Sequence, residues 1–111
     1  MLIYKIFRAP EWDALRADGS TAGAPVDLAD GFIHFSTRAQ VEETALKHFA
    51  DAEGLWLIAV EADALGDHLR WEPSRGGDLF PHLYRPLRDD DVVWAKPLPL
   101  SGGLHRFPDM G

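Results

Sequence analysis

Two histidines stand where an imidazole can act as acid, base or anion contact. His34 lies in Gly31-Phe-Ile-His-Phe-Ser36, two residues before Ser36, and Thr37 follows as a helix N-cap with Gln40 three residues on. The first turn of such a helix presents unpaired N–H groups and a partial positive charge, which favour anions. A histidine, a serine hydroxyl and that helix start together suit a phosphate or carboxylate, or the activation of a hydroxyl. The plainer alternative is that Ser36 and Thr37 only cap the helix while His34 makes a structural hydrogen bond.

The second constellation is Trp71-Glu72 followed by Phe80-Pro-His-Leu-Tyr-Arg85, on either side of Ser74-Arg-Gly-Gly-Asp78. A Gly-Gly stretch between two aromatic and charged clusters can close over a pocket, with Trp71 or Tyr84 stacking a flat ligand and Arg85 or Arg75 meeting its charge. If Phe80 to Tyr84 is extended, His82 and Tyr84 project from one face. Glu72 has aromatic neighbours, so a raised pKa and a general acid or base role are open to it. The bland readings place Trp71 and Tyr84 in the core and leave Glu72 solvated at a strand edge. His34, Glu72 and His82 are thus the candidates for chemistry; Ser36, Thr37, Trp71, Tyr84 and Arg85 are those for binding.

Other chemistries drop out. The chain has no cysteine, so thiolate metal sites, disulfides and cysteine nucleophiles are excluded. The helical His-Glu-x-x-His pattern is absent, although His34, His82 and Glu72 would meet the three-ligand rule for a catalytic metal if the fold gathered them. There is no phosphate-binding Gly-rich loop and no Gly-x-Ser-x-Gly elbow. Asp89 to Asp91 reads as a solvated turn. Eighteen acidic against eleven basic residues give a net charge of −7, which repels a polynucleotide. Between His68 and Arg88 the balance reverses, with Arg70, Arg75, Arg85 and Arg88 against Glu72 and Asp78. A small anionic molecule is the expected partner, not a long nucleic acid. No stretch has the length of a membrane span or a signal peptide, so a cytoplasmic protein is expected.

The elements that must position these residues are legible in outline. Leu2 to Phe7 reads as a strand, and Pro10 opens a helix with Trp12 and Leu15 on one face, ending near Gly19. Ser20 to Asp30 has no periodicity and reads as a loop. Phe32, His34 and Ser36 alternate with Ile33 and Phe35, and Val41, Ala45 and Phe49 mark a helix from about Arg38 to Ala50. Leu55 to Val60, apolar on both faces, is the central strand, which the first and last strands can flank. His68 to Pro73, Phe80 to Tyr84 and Asp91 to Lys96 complete the pattern, and the tail beyond about Leu98 reads as loosely held. The expectation is one α+β domain over residues 1–98, with a small mixed or mainly antiparallel sheet of about five to six strands and two helices.

Ile3-Tyr-Lys-Ile6, Asp30-Gly-Phe-Ile-His-Phe-Ser-Thr37, Trp71-Glu72 and Phe80-Pro-His-Leu-Tyr84 in this order resemble the bacterial family catalogued as domain of unknown function 952, from the first strand to about Leu98. That family is in turn similar, more distantly, to the ADP-ribosyltransferase-like superfold, whose members bind NAD in a cleft between two small sheets. The resemblance implies that Ile3 to Ile6 forms the first strand of the cleft and that Phe32 to Thr37 carries the serine-threonine motif supporting the ribose. It also implies that Glu72 holds the 2′-hydroxyl while an oxocarbenium-like ribose develops, with NAD or a related phosphorylated ribosyl compound as substrate. Tyr4-Lys5 and Arg70 are departures from that pattern. Three readings follow: an enzyme on such a compound, a non-catalytic binding module for a small anionic ligand, or a His/Glu metal-assisted hydrolase.

Overall fold

The computed structural model describes residues 1–110, the side chain of Arg75 excepted. Ten short strands run in chain order as β1 (Leu2–Arg8), β2 (Ser20–Thr21), β3 (Ile33–His34), β4 (Leu55–Glu61), β5 (Leu69–Pro73), β6 (Leu79–Leu83), β7 (Leu87–Arg88), β8 (Val92–Leu98), β9 (Leu100–Ser101) and β10 (Leu104–His105). Three α-helices are interspersed: α1 (Ala9–Asp18), α2 (Pro25–Asp30) and α3 (Arg38–His48). The fold is α+β with antiparallel pairing throughout the described strands.

The strands do not form one sheet of five or six. They divide into two three-stranded sheets, β1-β4-β8 and β3-β6-β5, with two small two-stranded pairs beside them. The long apolar strand β4 is central, with β1 pairing Leu2 to Glu61 through Arg8 to Leu55 on one side and β8 on the other. Its residues are apolar on both faces because both faces are covered. Ile58 and Val60 join Trp12 and Leu15 of α1, Ile33, Phe35 and Leu83 in one core cluster. Leu55, Leu57 and Ala59 join Val41 and Ala45 of α3 in the other.

Two segments differ from the sequence expectation. Ser20 to Asp30 is not a loop: β2 pairs with β7, and Pro25 opens the six-residue helix α2, which ends at Gly31. Proline fits a first helical turn because its missing N–H would be unpaired there anyway. The tail beyond Leu98, expected to be loose, forms the β9–β10 pair and returns to the second core cluster, where Met110 is only 5% exposed. Its carbonyl accepts a hydrogen bond from the Tyr4 hydroxyl at 3.1 Å, and Lys96 Nζ donates to the Asp109 carbonyl at 2.6 Å. Among the described residues, no helix is long and apolar enough to cross a membrane.

The two main sheets share a core and are linked through the backbone by a bridge between Tyr4 and Ser36. Tyr4 and Ser36 exchange backbone hydrogen bonds of 2.8 Å in both directions, while the neighbouring Phe35 N–H still donates to Pro81. The chain after β3 therefore leaves β6 and joins β1 within one residue. Lys5 and His34, adjacent to this junction, line the opening between the sheets.

Candidate functional site

The side chain at the centre of this region is Asp27, which the sequence did not single out. Helix α2 turns it inward until it is 1% exposed, and its carboxylate accepts from four groups. Lys5 Nζ lies 3.1 Å from Oδ1 and 2.8 Å from Oδ2; the N–H groups of Ala24 and His34 donate at 2.7 and 3.1 Å; His34 Nδ1 lies 2.6 Å from Oδ1. Burial alone would raise the Asp27 carboxyl, but the His34 and Lys5 contacts and the Ala24 N–H outweigh it and hold it below the ordinary range. Burial also lowers Lys5, against the opposing pull of Asp27. A lysine inside an apolar strand needs such a carboxylate, and Lys5 is 6% exposed.

Gly23 makes this packing attainable. Its φ is +106°, and a Cβ there would sit 2.3 Å from Asp27 Oδ2 and 2.6 Å from Asp27 Cβ. The Asp27 side chain is short and fixed at both oxygens, so it has no room to yield. Gly23→Ala is expected to lower stability by about 1–3 kcal/mol through overpacking and the left-handed backbone. Urea unfolding checks this, and an unchanged midpoint would show that α2 shifts freely.

His34 projects from the face of β3 expected from its alternation. With Nδ1 held by the buried Asp27, Nε2 is directed toward Asp30 Oδ2 at 2.9 Å, and Asp30 is nearly half exposed. The antiparallel register pairs His34 directly with His82, and their ring centroids lie 5.3 Å apart at 69°. His82 is 4% exposed, and its Nδ1 lies 2.8 Å from Glu72 Oε1. The Tyr84 hydroxyl donates to the same Glu72 oxygen at 2.7 Å. Phe32 packs against all three rings, with centroids 4.6 Å from His34, 4.2 Å from His82 and 5.1 Å from Tyr84.

Glu72 is not raised as the sequence suggested. Hydrogen bonds from Tyr84 first, then His82, lower its pKa, while the Tyr84 phenol is raised by donating to that carboxylate. Both effects follow from a carboxylate surrounded by donors instead of apolar side chains.

The other candidates separate. Trp71 is 39% exposed on the edge strand β5 and borders a different hollow, beside Met1 and Leu69, because alternation turns it away from Arg70 and Glu72. Ser36 is buried, its hydroxyl 2.8 Å from that of Thr44, and Thr37 is the N-cap of α3, its N–H donating to Gln40 Oε1 at 3.0 Å. Arg85 makes a two-pronged pair with Asp91 at 2.8 and 3.0 Å, so the acidic turn is partly spent on an arginine. The Arg85 charge is thereby matched within the protein. The Arg75 side chain lies outside the described residues.

Two hollows flank the Asp27–His34 pair. One of about 220 Å3 runs between Phe32, Tyr84, Arg85 and Pro86. The larger, about 510 Å3, is the opening between the sheets, lined by Lys5, Arg8, His34 and His48 with Phe49 and Ser74 among the rest. Ser74 brings the β5–β6 turn to its edge. Among the described residues, no group of three or more His, Asp and Glu side chains is arranged to hold a metal ion; His34 and His82 each spend Nδ1 on a carboxylate.

Residues 6–95 match the family described as "Protein of unknown function (DUF952)". The chain is 51% identical to protein CC0527 from Caulobacter crescentus in its crystal structure, covering 96% of this chain and 94% of that one with a TM-score of 0.92. It is 53% identical to the same protein in its solution NMR structure, over 93% and 90% of the two chains, with a TM-score of 0.84. No curated protein matches.

Proposed function

The chain belongs to the DUF952 family, whose description states no activity, and from its side chains we propose that it is an enzyme using two histidines on a small phosphorylated ribosyl compound, of which NAD and ADP-ribose are representatives. The observation that carries this reading is the facing pair of histidine–carboxylate dyads, Asp27–His34 and Glu72–His82, with ring centroids 5.3 Å apart. In each dyad the carboxylate takes Nδ1, which leaves Nε2 as the working nitrogen. Two such rings can divide acid and base roles.

On this reading Asp30 gives way when the ligand enters, and His34 Nε2 accepts a proton from the attacking hydroxyl. The hydroxyl oxygen bonds to the ribosyl carbon as the bond from that carbon to the leaving group breaks, the electron pair departing on that group, and a group that leaves as an oxyanion takes its proton from His82. Glu72 orients His82 instead of binding the sugar, since Tyr84 and His82 already share its oxygen. The opening between two small sheets is what supports a ribosyl-transfer ancestry.

A second reading, a non-catalytic binding module, is favoured by the burial of His82 beneath Phe32. Incubation with NAD, ADP-ribose and ribose 5-phosphate, followed by chromatography of products and by thermal shift, separates the two. Turnover of one compound is the expected result. Saturable stabilisation without product would transfer the assignment to the binding module, and neither effect with any of the three would remove the ribosyl reading.

A further inference from the structure

We propose that Arg8 is the phosphate-binding group of the opening between the two sheets, with His48 beside it. The proposal names the anion subsite of the ligand site described above and rests on that reading only for the identity of the reacting end.

The arginines differ in how their charge is used. Arg16 lies 3.2 Å from Asp89, Arg85 is matched by Asp91, and Arg70 lies over the Tyr84 ring on the Glu72 face. Arg8 is at the end of β1, exposed, and among the described residues it has no carboxylate within ion-pair distance. Glu11, the nearest acid in sequence, is turned to the Arg8 backbone N–H at 2.9 Å. The guanidinium instead lies over Phe49, its Cζ 4.9 Å from the ring centroid. An aromatic shelf of this kind holds the planar fork without consuming its N–H donors, which lowers the ordering cost of binding.

The surroundings select the ligand. The opening is lined by Lys5, Arg8, His34 and His48, and no Asp or Glu is among its described lining residues, in a chain of net charge −7. The Lys5 charge is taken up by Asp27, so among the described lining residues the cation presented to a ligand is Arg8. The guanidinium fork matches two oxygens of a phosphate. A volume of about 510 Å3 suits a compound the size of a sugar phosphate or mononucleotide. With its phosphate on Arg8, such a compound occupies the same opening that His34 borders.

Calorimetric titration of the whole protein with inorganic pyrophosphate at constant ionic strength tests this. Wild type should bind saturably at one site, and Arg8→Ala should weaken binding about tenfold or more, the effect of losing a charge-assisted pair. Arg8→Lys should recover only part of it, because an ammonium lacks the fork. Arg38→Ala, an exposed charge outside the opening, should bind as wild type. Absence of saturable binding, or equal affinity in wild type, Arg8→Ala and Arg8→Lys, would overturn the proposal, as would an equal loss in Arg38→Ala. An Arg8-dependent site in a protein without turnover would sink the acid–base reading and leave this one standing.

Discussion

Asp27→Ala is expected to lower the free energy of unfolding by about 3–5 kcal/mol, because it leaves Lys5 buried without its counter-charge. Three further donors, the N–H groups of Ala24 and His34 and His34 Nδ1, lose their acceptor together. With a urea slope of about 2 kcal/mol/M, the midpoint should fall by roughly 2 M. The double replacement Lys5→Met with Asp27→Leu should recover much of the loss, since an apolar pair of similar volume removes the stranded charge. A loss below about 1 kcal/mol in Asp27→Ala would show that water reaches Lys5 and that the pair is not sealed.

The same group sets an acid limb. Asp27 has a lower pKa folded than unfolded, so its contribution is complete above the unfolded value near about 4. It is lost as pH falls through the lower folded value. Asp27→Ala should therefore flatten the pH dependence of stability in that window, which urea titrations at a series of acid pH values would read directly.

The largest effect on chemistry is expected at His34. His34→Ala should reduce turnover by about 10²–10⁴-fold, the range for loss of a general acid or base. Its effect on stability should stay near about 1–1.5 kcal/mol, because Asp27 keeps Lys5 and two backbone donors. Rates and urea midpoints measured on one preparation separate the two. A variant that turns over normally would remove His34 from the chemistry, and one that unfolds would make it a structural ligand of Asp27.

What the sequence made legible was whatever repeats with a period. The apolar run Leu55 to Val60, the Val41–Ala45 stripe, the Trp12–Leu15 face and the outward projection of His34 all follow from spacings of one to four residues. Asp27 escaped because its helix has six residues, too few for a stripe, and sits among Gly, Ala and Pro that read as loop. Its partner Lys5 is 22 positions away. The available signal was Lys5 itself, a charge inside an otherwise apolar strand that needed a buried acid.

Strand order carried other errors. Trp71 reads as core until β5 is known to lie at a sheet edge. The sequence likewise gives no sign that the Asp89 to Asp91 turn folds back on Arg85 and pairs with it.

The β1-β4-β8 arrangement also bears on how the chain is made. Its pairings join residues near positions 5, 58 and 95, and the Tyr4 hydroxyl waits for a carbonyl 106 residues later. Contacts so remote slow the closing of a structure, because the intervening chain must first be ordered. During synthesis β4 can pair with β1 early, but its other edge stays uncovered until β8 follows. The nascent chain thus presents the edge of its most apolar strand to whatever is near until β8 emerges and seals it.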